Sequence, residues 1–516
     1  MLPNNLLHSL KKKTVQIIFF LLALLPFAFG AAAAIDHFGS YGRYRTFSII
    51  LFFAFFLFLI LISSEKIRGL SNEVIIVLLS VLTVLVRQLS VIFFNTLPVS
   101  DYGDVINSAI DLMRGPVRSL YSARFPYWGF YSITLCRLFR IFGGSIGTAK
   151  TINVITAGLT ALGIYLAGKQ IFGSKKYGFL VALIFVFSPS STLYVNLPSG
   201  EHIFVMLLPV VVLLYLTIFK HPEIKIYKKS IISILTGMLL GLMDMYKPVA
   251  VILLIGFILS FLLSETDLIK RTSSGKNRKR QILFNGLFIV ILIIGFISTK
   301  AACFSIIEHQ FGYPPNKFGL GWTLRIGLDM QKGGRVNTPI QSYMNNLYRD
   351  YDEDYQYVNS LLIQESLELV KGKTPDEVSG FLRDKFVYMW GTNEGFYDWI
   401  AYNQVETGLM AYDADRLGLL VKPLADSFLI ISSILSAIGA IYCMINKREK
   451  GTLSIGLFIL GFTLMLFVSE VQQRYRSVLE SSIPFFTVYG LIAVKKAAEY
   501  ARKFIAKLNI PNLEKE

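Results

Sequence analysis

The sequence predicts an all-α polytopic membrane protein of about twelve transmembrane helices, with interfacial helices and a small, mostly α extracytoplasmic domain. Three observations carry this prediction. The 516 residues are 53% hydrophobic and only 16% charged, where soluble domains carry about 25% charged residues, and mean hydropathy is +0.54. The apolar residues gather into blocks near twenty residues long, about the length that crosses 30 Å of hydrocarbon. The Lys and Arg residues fall mostly between those blocks and on alternate sides, as the positive-inside rule requires. This distribution also argues against nucleic acid as the partner behind the net charge of +17.

Taken in order, Lys11, Lys12 and Lys13 precede an apolar run over 14–34. Its length favours a retained first helix over a cleaved signal peptide, although "AFGAAAA" resembles a cleavage site. Further spans are predicted at 46–63, 74–96, 145–168, 177–195, 203–219, 231–245, 248–264, 282–300, 425–445, 452–469 and 478–494. The basic loops "SEKIRG", "KQIFGSKK", "KHPEIKIYKK", "KRTSSGKNRKR" and "NKREK", and the tail from Lys495, then all fall inside, with both termini cytoplasmic. Lys247-Pro248 divides 231–264 into two spans; a single kinked span would put the basic run 270–280 outside.

The expected organisation is 1–96, N-terminal spans; 97–144, an extracytoplasmic catalytic loop with interfacial helices; 145–300, central spans; 301–424, an extracytoplasmic domain; and 425–516, C-terminal spans and a basic tail. "YWGFYSITLCRLFRIFG" in the first loop interleaves aromatics with Arg137 and Arg140, as a helix lying in the interface plane does. Thr374-Pro375-Asp376-Glu377 reads as the start of a helix in the second. Three scattered cysteines argue against a disulfide framework or a metal cluster.

Chemistry-bearing residues collect on the predicted outer side. Asp101 and Asp104 in "PVSDYGDVINSAIDLM" follow the third span. An Asp there can take a proton from a hydroxyl, ligate a hard divalent ion, or, with Ser100, cap the helix that follows. Glu201-His202 in "NLPSGEHIF" opens a later span, where a carboxylate also suits the helix dipole. Lys247, three residues after Asp244, is either a local ion-pair partner or a phosphate contact. Arg474 and Arg476 in "SEVQQRYRSVLESSIP" run against the positive-inside trend, and Arg suits a phosphate through its bidentate fork. The run "GGSIGTAKT" fails as a phosphate loop, lacking Gly before Lys150 and a preceding strand.

Three stretches carry a resemblance. They are the loop "PVSDYGD", the run "RFPYWGFYSITLCRLFRIFGGSIGTAKTINVITAGLTALGIYLAGKQIFG", and "FSPSSTLYVNLPSGEHIF". In this order they resemble the GT-C glycosyltransferases, specifically bacterial relatives of the protein O-mannosyltransferases and of the lipid A aminoarabinose transferase. "GWTLRIGLDMQKGGRVN", "FLRDKFVYMWGTNEGFYDW" and the closing "EVQQRYR" look like a Gram-positive branch that decorates the cell surface. The absence of an N-x-S/T sequon accords with a bacterial source. The family typically has its first long outer loop after one span; here two additional spans precede it, a departure.

The resemblance implies a GT-C fold and an inverting transfer from a polyprenyl-phosphate sugar, in the plasma membrane, to a glycan, glycolipid or protein acceptor on the outer face. It implies Asp101 as catalytic base with Asp104 and Glu201 beside it, and Lys247, Arg474 and Arg476 at the donor phosphate. Arg124, Tyr127, His202, Trp322, Arg325 and Asp329 become candidates for the acceptor or sugar, roofed by Trp390 and Trp399. No cofactor is required, although Asp101 with Glu201 could hold Mg²⁺ or Mn²⁺. The rival readings are a polysaccharide polymerase or ligase using a lipid-diphosphate donor, and a lipid-linked sugar flippase or transporter, for which Arg87 inside a span is the one candidate.

Overall fold

The computed structural model describes residues 4–41, 44–62, 69–221, 223–272, 275–317, 319–403, 413–446 and 451–507. The basic loops at 63–68 and 447–450, and the side chains of 264–282, lie outside this description.

The elements among the described residues are helices joined by turns. The first predicted span is α1 (Asn4–Leu22) and α2 (Gly30–Phe38), joined by a π-helical turn at Ala23–Phe29 that contains Pro26. Next come α3 (Tyr44–Ile62) and α4 (Asn72–Phe94), the latter capped by the Ser71 side chain on Val74 N–H. Three helices follow at the end of α4: α5 (Asp101–Leu112), α6 (Leu120–Arg124) and α7 (Pro126–Phe142). Then α8 (Ile146–Phe172) leads to α9 (Lys175–Val186) and α10 (Pro189–Tyr194). The central bundle continues with α11 (Glu201–Lys220), α12 (Ile226–Tyr246), α13 (Ala250–Thr272) and α14 (Gly275–Phe311). Five helices cap one end: α15 (Leu320–Gly327), α16 (Thr338–Asp350), α17 (Tyr355–Val370), α18 (Pro375–Trp390) and α19 (Glu394–Ala401). The chain closes with α20 (Ala414–Asn446), α21 (Leu453–Val468), a 3₁₀ turn at Gln473–Leu479 and α22 (Ile483–Lys507).

Among the described residues seven helical stretches are long and apolar enough to cross a membrane, and an eighth is the pair Gln473–Leu479 and Ile483–Ile505, bent by 72°. Three shorter apolar helices, Tyr44–Ile60, Ala250–Leu263 and Leu453–Val468, accompany them. The predicted spans fall on these helices with one exception. The span 177–195 is broken into α9 and α10, because Pro189 has no N–H to continue the ladder and Ser188 caps the new helix on Ser191 N–H. Arg87, fully buried on α4, closes the break: its guanidinium donates to the Phe185 and Val186 carbonyls and to the hydroxyls of Ser191 and Thr192. The charge that a transport path would have needed is therefore consumed by a helix C-terminus, whose carbonyls attract cations.

Both ends of the expected 301–424 segment lie inside helices, since α14 continues to Phe311 and α20 begins at Ala414. Between them, Trp322, Ile326, Ile340, Met344, Tyr348, Val358 and Leu362 form a small apolar core of their own. Thr374 and Glu377 form the reciprocal capping box that starts α18.

Close helix approach depends on glycine. A Cβ at Gly237 of α12 would lie 2.0 Å from the Leu292 carbonyl of α14, and one at Gly439 of α20 equally close to the Phe486 carbonyl of α22. Small residues permit such contact where lipid supplies no hydrophobic drive between helices.

Lys385 ties α18 to the rest. Its ammonium donates to the carbonyls of Gly327 (2.7 Å), Phe467 (3.0 Å) and Ser469 (2.7 Å). Lys385→Met removes three bonds and leaves buried carbonyls unpaired, so we expect a loss of about 1–3 kcal/mol or more, read as a lower thermal unfolding midpoint of the purified protein.

Candidate active site

The site assembles at the end of the bundle where α5, α6, α7 and α15–α19 gather. Asp101 is the first residue of α5. Ser100 before it has φ 53°, a left-handed conformation that a non-glycine residue adopts only under constraint. Its side chain makes no capping bond. The Asp101 carboxylate instead accepts the Tyr121 hydroxyl of α6 at 2.6 Å. The capping alternative raised by the sequence is thus not the arrangement present.

The next residue, Tyr102, is buried and carries the site inward. Its ring packs edge-on against Trp128 and Trp399, both at 5.7 Å. Arg474 of the 3₁₀ turn lies over Trp399 at 4.0 Å and over Tyr102 at 5.4 Å. This guanidinium is only 7% exposed, and its Nη1 is buried without a hydrogen-bond partner. Among the described residues no carboxylate stands within ion-pair distance of it. A buried, uncompensated cation is costly unless something pairs with it.

Glu201 begins α11 after Gly200, where an added Cβ would meet the Tyr246 carbonyl at 3.0 Å. Its carboxylate accepts Lys247 Nζ at 2.7 Å and the Tyr194 hydroxyl at 3.1 Å. Lys247 extends over the Tyr475 ring at 4.4 Å and lies 6.0 Å from the Tyr127 ring. Glu470 accepts the Tyr475 hydroxyl at 2.7 Å.

Tyr127, on α7, joins these groups. Burial, and then the charges of Asp101, Glu470 and Glu201, push its phenol far above the ordinary value. Burial, followed by the charge and hydrogen bond of Asp101, does the same to Tyr121. Tyr102 is pushed up to about 12, chiefly by burial, with Arg474 opposing and Glu201 and Asp101 adding. Each phenol therefore stays a neutral donor beside carboxylates. Asp104, one turn on from Asp101, stands at the exposed edge of α5. What burial it has, and then Asp101 itself, raise its carboxyl above the usual range.

A cavity of about 520 Å³ opens beside this cluster. Arg124, Tyr127, Lys247, Trp322, Glu470 and Tyr475 line its polar side, and Phe304, Phe462, Met465 and Leu466 its apolar side. Arg124 pairs with Glu353 and lies over Tyr348 at 4.4 Å. Glu353 and Asp352 both hold positive φ, a tight turn that directs the carboxylate there.

The structure separates the sequence candidates. Asp101, Glu201, Lys247, Arg474 and Tyr127 come together, while Arg124 and Trp322 line the cavity. Arg476 does not join them. Its guanidinium is fully buried and donates to Met389 O, Thr392 O and Asn393 Oδ1, so it is turned to the protein and away from the cavity lining. Arg325 is held by Glu365 at 3.3 Å and approaches Asp329 at 3.9 Å. Asp329 caps the 3₁₀ turn Met330–Lys332. Neither lines the cavity; they tie the cap helices together. His202 meets the Leu197 carbonyl at 3.0 Å and stacks beside Tyr194, which fixes the turn before α11.

The expected metal pair fares similarly, since Glu201 already spends its oxygens on Lys247 and Tyr194. Among the described residues no group of three or more His, Cys, Asp or Glu is placed to hold a metal ion. The residues present do not fit a divalent ion at Glu201.

Sequence reasoning missed Tyr121, Tyr102, Tyr475 and Glu470. A signal existed for the last two, because Glu470 shares one short loop with Arg474. Tyr121 had none, since its partner lies twenty residues away across a turn. Tyr121→Phe removes only the hydrogen bond that orients Asp101. We expect transfer to fall about fivefold, in line with a net loss near 1 kcal/mol, with donor affinity unchanged in a direct binding measurement.

The arrangement also explains how Arg474 is placed. Buried Asp426 of α20 accepts Asn393 N–H (2.6 Å), the Thr392 hydroxyl (3.0 Å) and the Tyr41 hydroxyl (2.8 Å). That turn in turn receives Arg476 and, through Gly395 N–H, the Gln473 side chain. Arg474 is clamped from both sides.

Residues 126–297, a third of the chain, match the model of a family described as dolichyl-phosphate-mannose-protein mannosyltransferase. No curated protein matches the chain. Among solved structures, ArnT from Cupriavidus metallidurans bound to undecaprenyl phosphate aligns at 12% identity. The alignment covers 84% of this chain and 80% of that one, with a TM-score of 0.34.

Proposed function

We propose that this chain is an inverting GT-C membrane glycosyltransferase along its whole length, a reading supported by the match of residues 126–297 to the mannosyltransferase family model. It takes a sugar from a polyprenyl-phosphate donor and passes it to a cell-surface glycan, glycolipid or protein on the outer face of the membrane. One observation carries the reading. A buried guanidinium without an ion-pair partner among the described residues, Arg474, lies over the Tyr102 ring, and the charge of a carboxylate, Asp101, reaches the same phenol. That is the pairing a reaction needs when a hydroxyl loses a proton and a phosphate leaves.

In this reading Asp101 accepts the proton of the acceptor hydroxyl, whose oxygen attacks the anomeric carbon from the face opposite the phosphate. The new glycosidic C–O bond forms as the bond to phosphate oxygen breaks, and the electron pair leaves with the polyprenyl phosphate. Arg474 and Lys247 stabilise the charge that develops there, as preorganised cations in a water-poor site do. Glu201 holds Lys247 in position rather than serving as a second base. The apolar side of the 520 Å³ cavity suits the lipid, and its aromatic side suits sugar rings.

The test is a purified-protein assay with a radiolabelled polyprenyl-phosphate sugar. The expected result is release of polyprenyl phosphate with label on the acceptor. Release only from a polyprenyl-diphosphate sugar would overturn the monophosphate reading in favour of a polymerase or ligase.

A further inference from the structure

A second cavity lies at the opposite end of the bundle. α3 starts next to Tyr41, which bonds Glu394 and Asp426 at the site end, and runs away from there to Ile62. α22 starts at Ile483, just past the turn that holds Arg474, and runs the same way. α9 runs back toward the site from Lys175. At 1.5 Å per residue, α22 has travelled about 18 Å by Lys495. There the three helices enclose a cavity of about 190 Å³.

Its lining is two-faced. Leu59, Leu180, Leu491 and Ile492 form an apolar wall. Lys176, Lys495 and Lys496 supply three positive charges against one carboxylate, Glu499. Lys176 is only 5% exposed, with its ammonium 5.2 Å from the Tyr177 ring. The flanking Leu57, Phe58 and Val494 are exposed apolar residues, as lipid-facing positions on spans are. The lysines therefore stand at the level where α3 ends and α9 begins, beside a wall open to acyl chains.

We propose that this cavity binds the phosphate headgroup of an anionic phospholipid of the surrounding bilayer. A basic pocket between transmembrane helices at a membrane surface attracts such headgroups, and long Lys stems lie along apolar surface while the heads meet the phosphate. The apolar wall selects a lipid over free phosphate. The site is remote from Asp101 and Arg474, so it stands or falls independently of the transferase reading.

The experiment uses the full-length protein in mild detergent, with bound phosphatidylglycerol and phosphatidylcholine counted by native mass spectrometry. The wild type should retain phosphatidylglycerol in preference to phosphatidylcholine. K496Q alone should weaken retention about fivefold, and K495Q/K496Q about twenty-five-fold, as about fivefold per lysine predicts. Because Lys496 is exposed, K496Q keeps the test valid if the double variant unfolds. The control K12Q/K13Q removes two exposed lysines outside the cavity and should change nothing. Equal retention of the two lipids, unchanged retention in K496Q, an equal loss in the control, or displacement by inorganic phosphate would each overturn the proposal.

Discussion

Asp101→Asn should reduce transfer by about 10²–10⁴, the range a general base contributes, while the protein folds as before. The amide has the carboxylate's shape, and its carbonyl oxygen still accepts the Tyr121 hydroxyl. What it cannot do is accept a proton from an acceptor hydroxyl. Single-turnover transfer with donor bound in excess isolates this step from binding, and a thermal scan checks the fold. Asp104→Asn is the comparison: Asp104 stands at the exposed edge of α5, so its loss should cost much less. Near-normal transfer by the Asp101 variant would remove the base role from this residue.

The second large effect is at Arg474. Replacing it by Gln should lower turnover about 10²–10³, as removal of a preorganised charge stabiliser does, and should also weaken donor binding. Arg474→Lys should recover little, because an ammonium lacks both the planar fork and the stacking surface that Trp399 and Tyr102 receive. Stability provides an independent reading. Arg474 has a buried Nη1 without a hydrogen-bond partner and no ion pair among the described residues, so its removal should leave the donor-free midpoint unchanged or higher. Arg476→Gln should behave in the opposite way, because it strips donors from the carbonyls of Met389 and Thr392. If Arg474→Gln unfolded the protein as Arg476→Gln is expected to, or bound donor normally, the phosphate role would be lost.

These two arginines mark the boundary of what a sequence can tell. They stand two residues apart in one 3₁₀ turn, with the same charge and the same apparent reason to lie outside the membrane trend. Their difference comes from what α18 and α19 bring opposite them. Arg476 meets three oxygens of a turn fixed by Asp426, whereas Arg474 meets only aromatic faces. Arg325 and Asp329 diverge from expectation for the same reason. Their chemistry suited a sugar, but Glu365 and a local turn had already taken it. Lys247 and Glu201 were each legible as ionisable residues at span ends, yet their 2.7 Å pairing depends on how α11 and α12 pack around Gly200.

The sequence by itself determined the membrane class, the helical elements and their order. Those follow from local and repetitive properties: apolar blocks long enough to cross a bilayer, charge in the intervening loops, and breakers such as Lys247-Pro248. It also determined that acids and cations from four distant stretches belong to one side, since topology is a counting argument. Only the tertiary structure decided which of them remain available for chemistry. Availability depends on whether a partner from a remote segment has already satisfied a charge or hydrogen bond. No pattern along the chain encodes that partner's distance, because it is fixed by close packing of helices far apart in sequence.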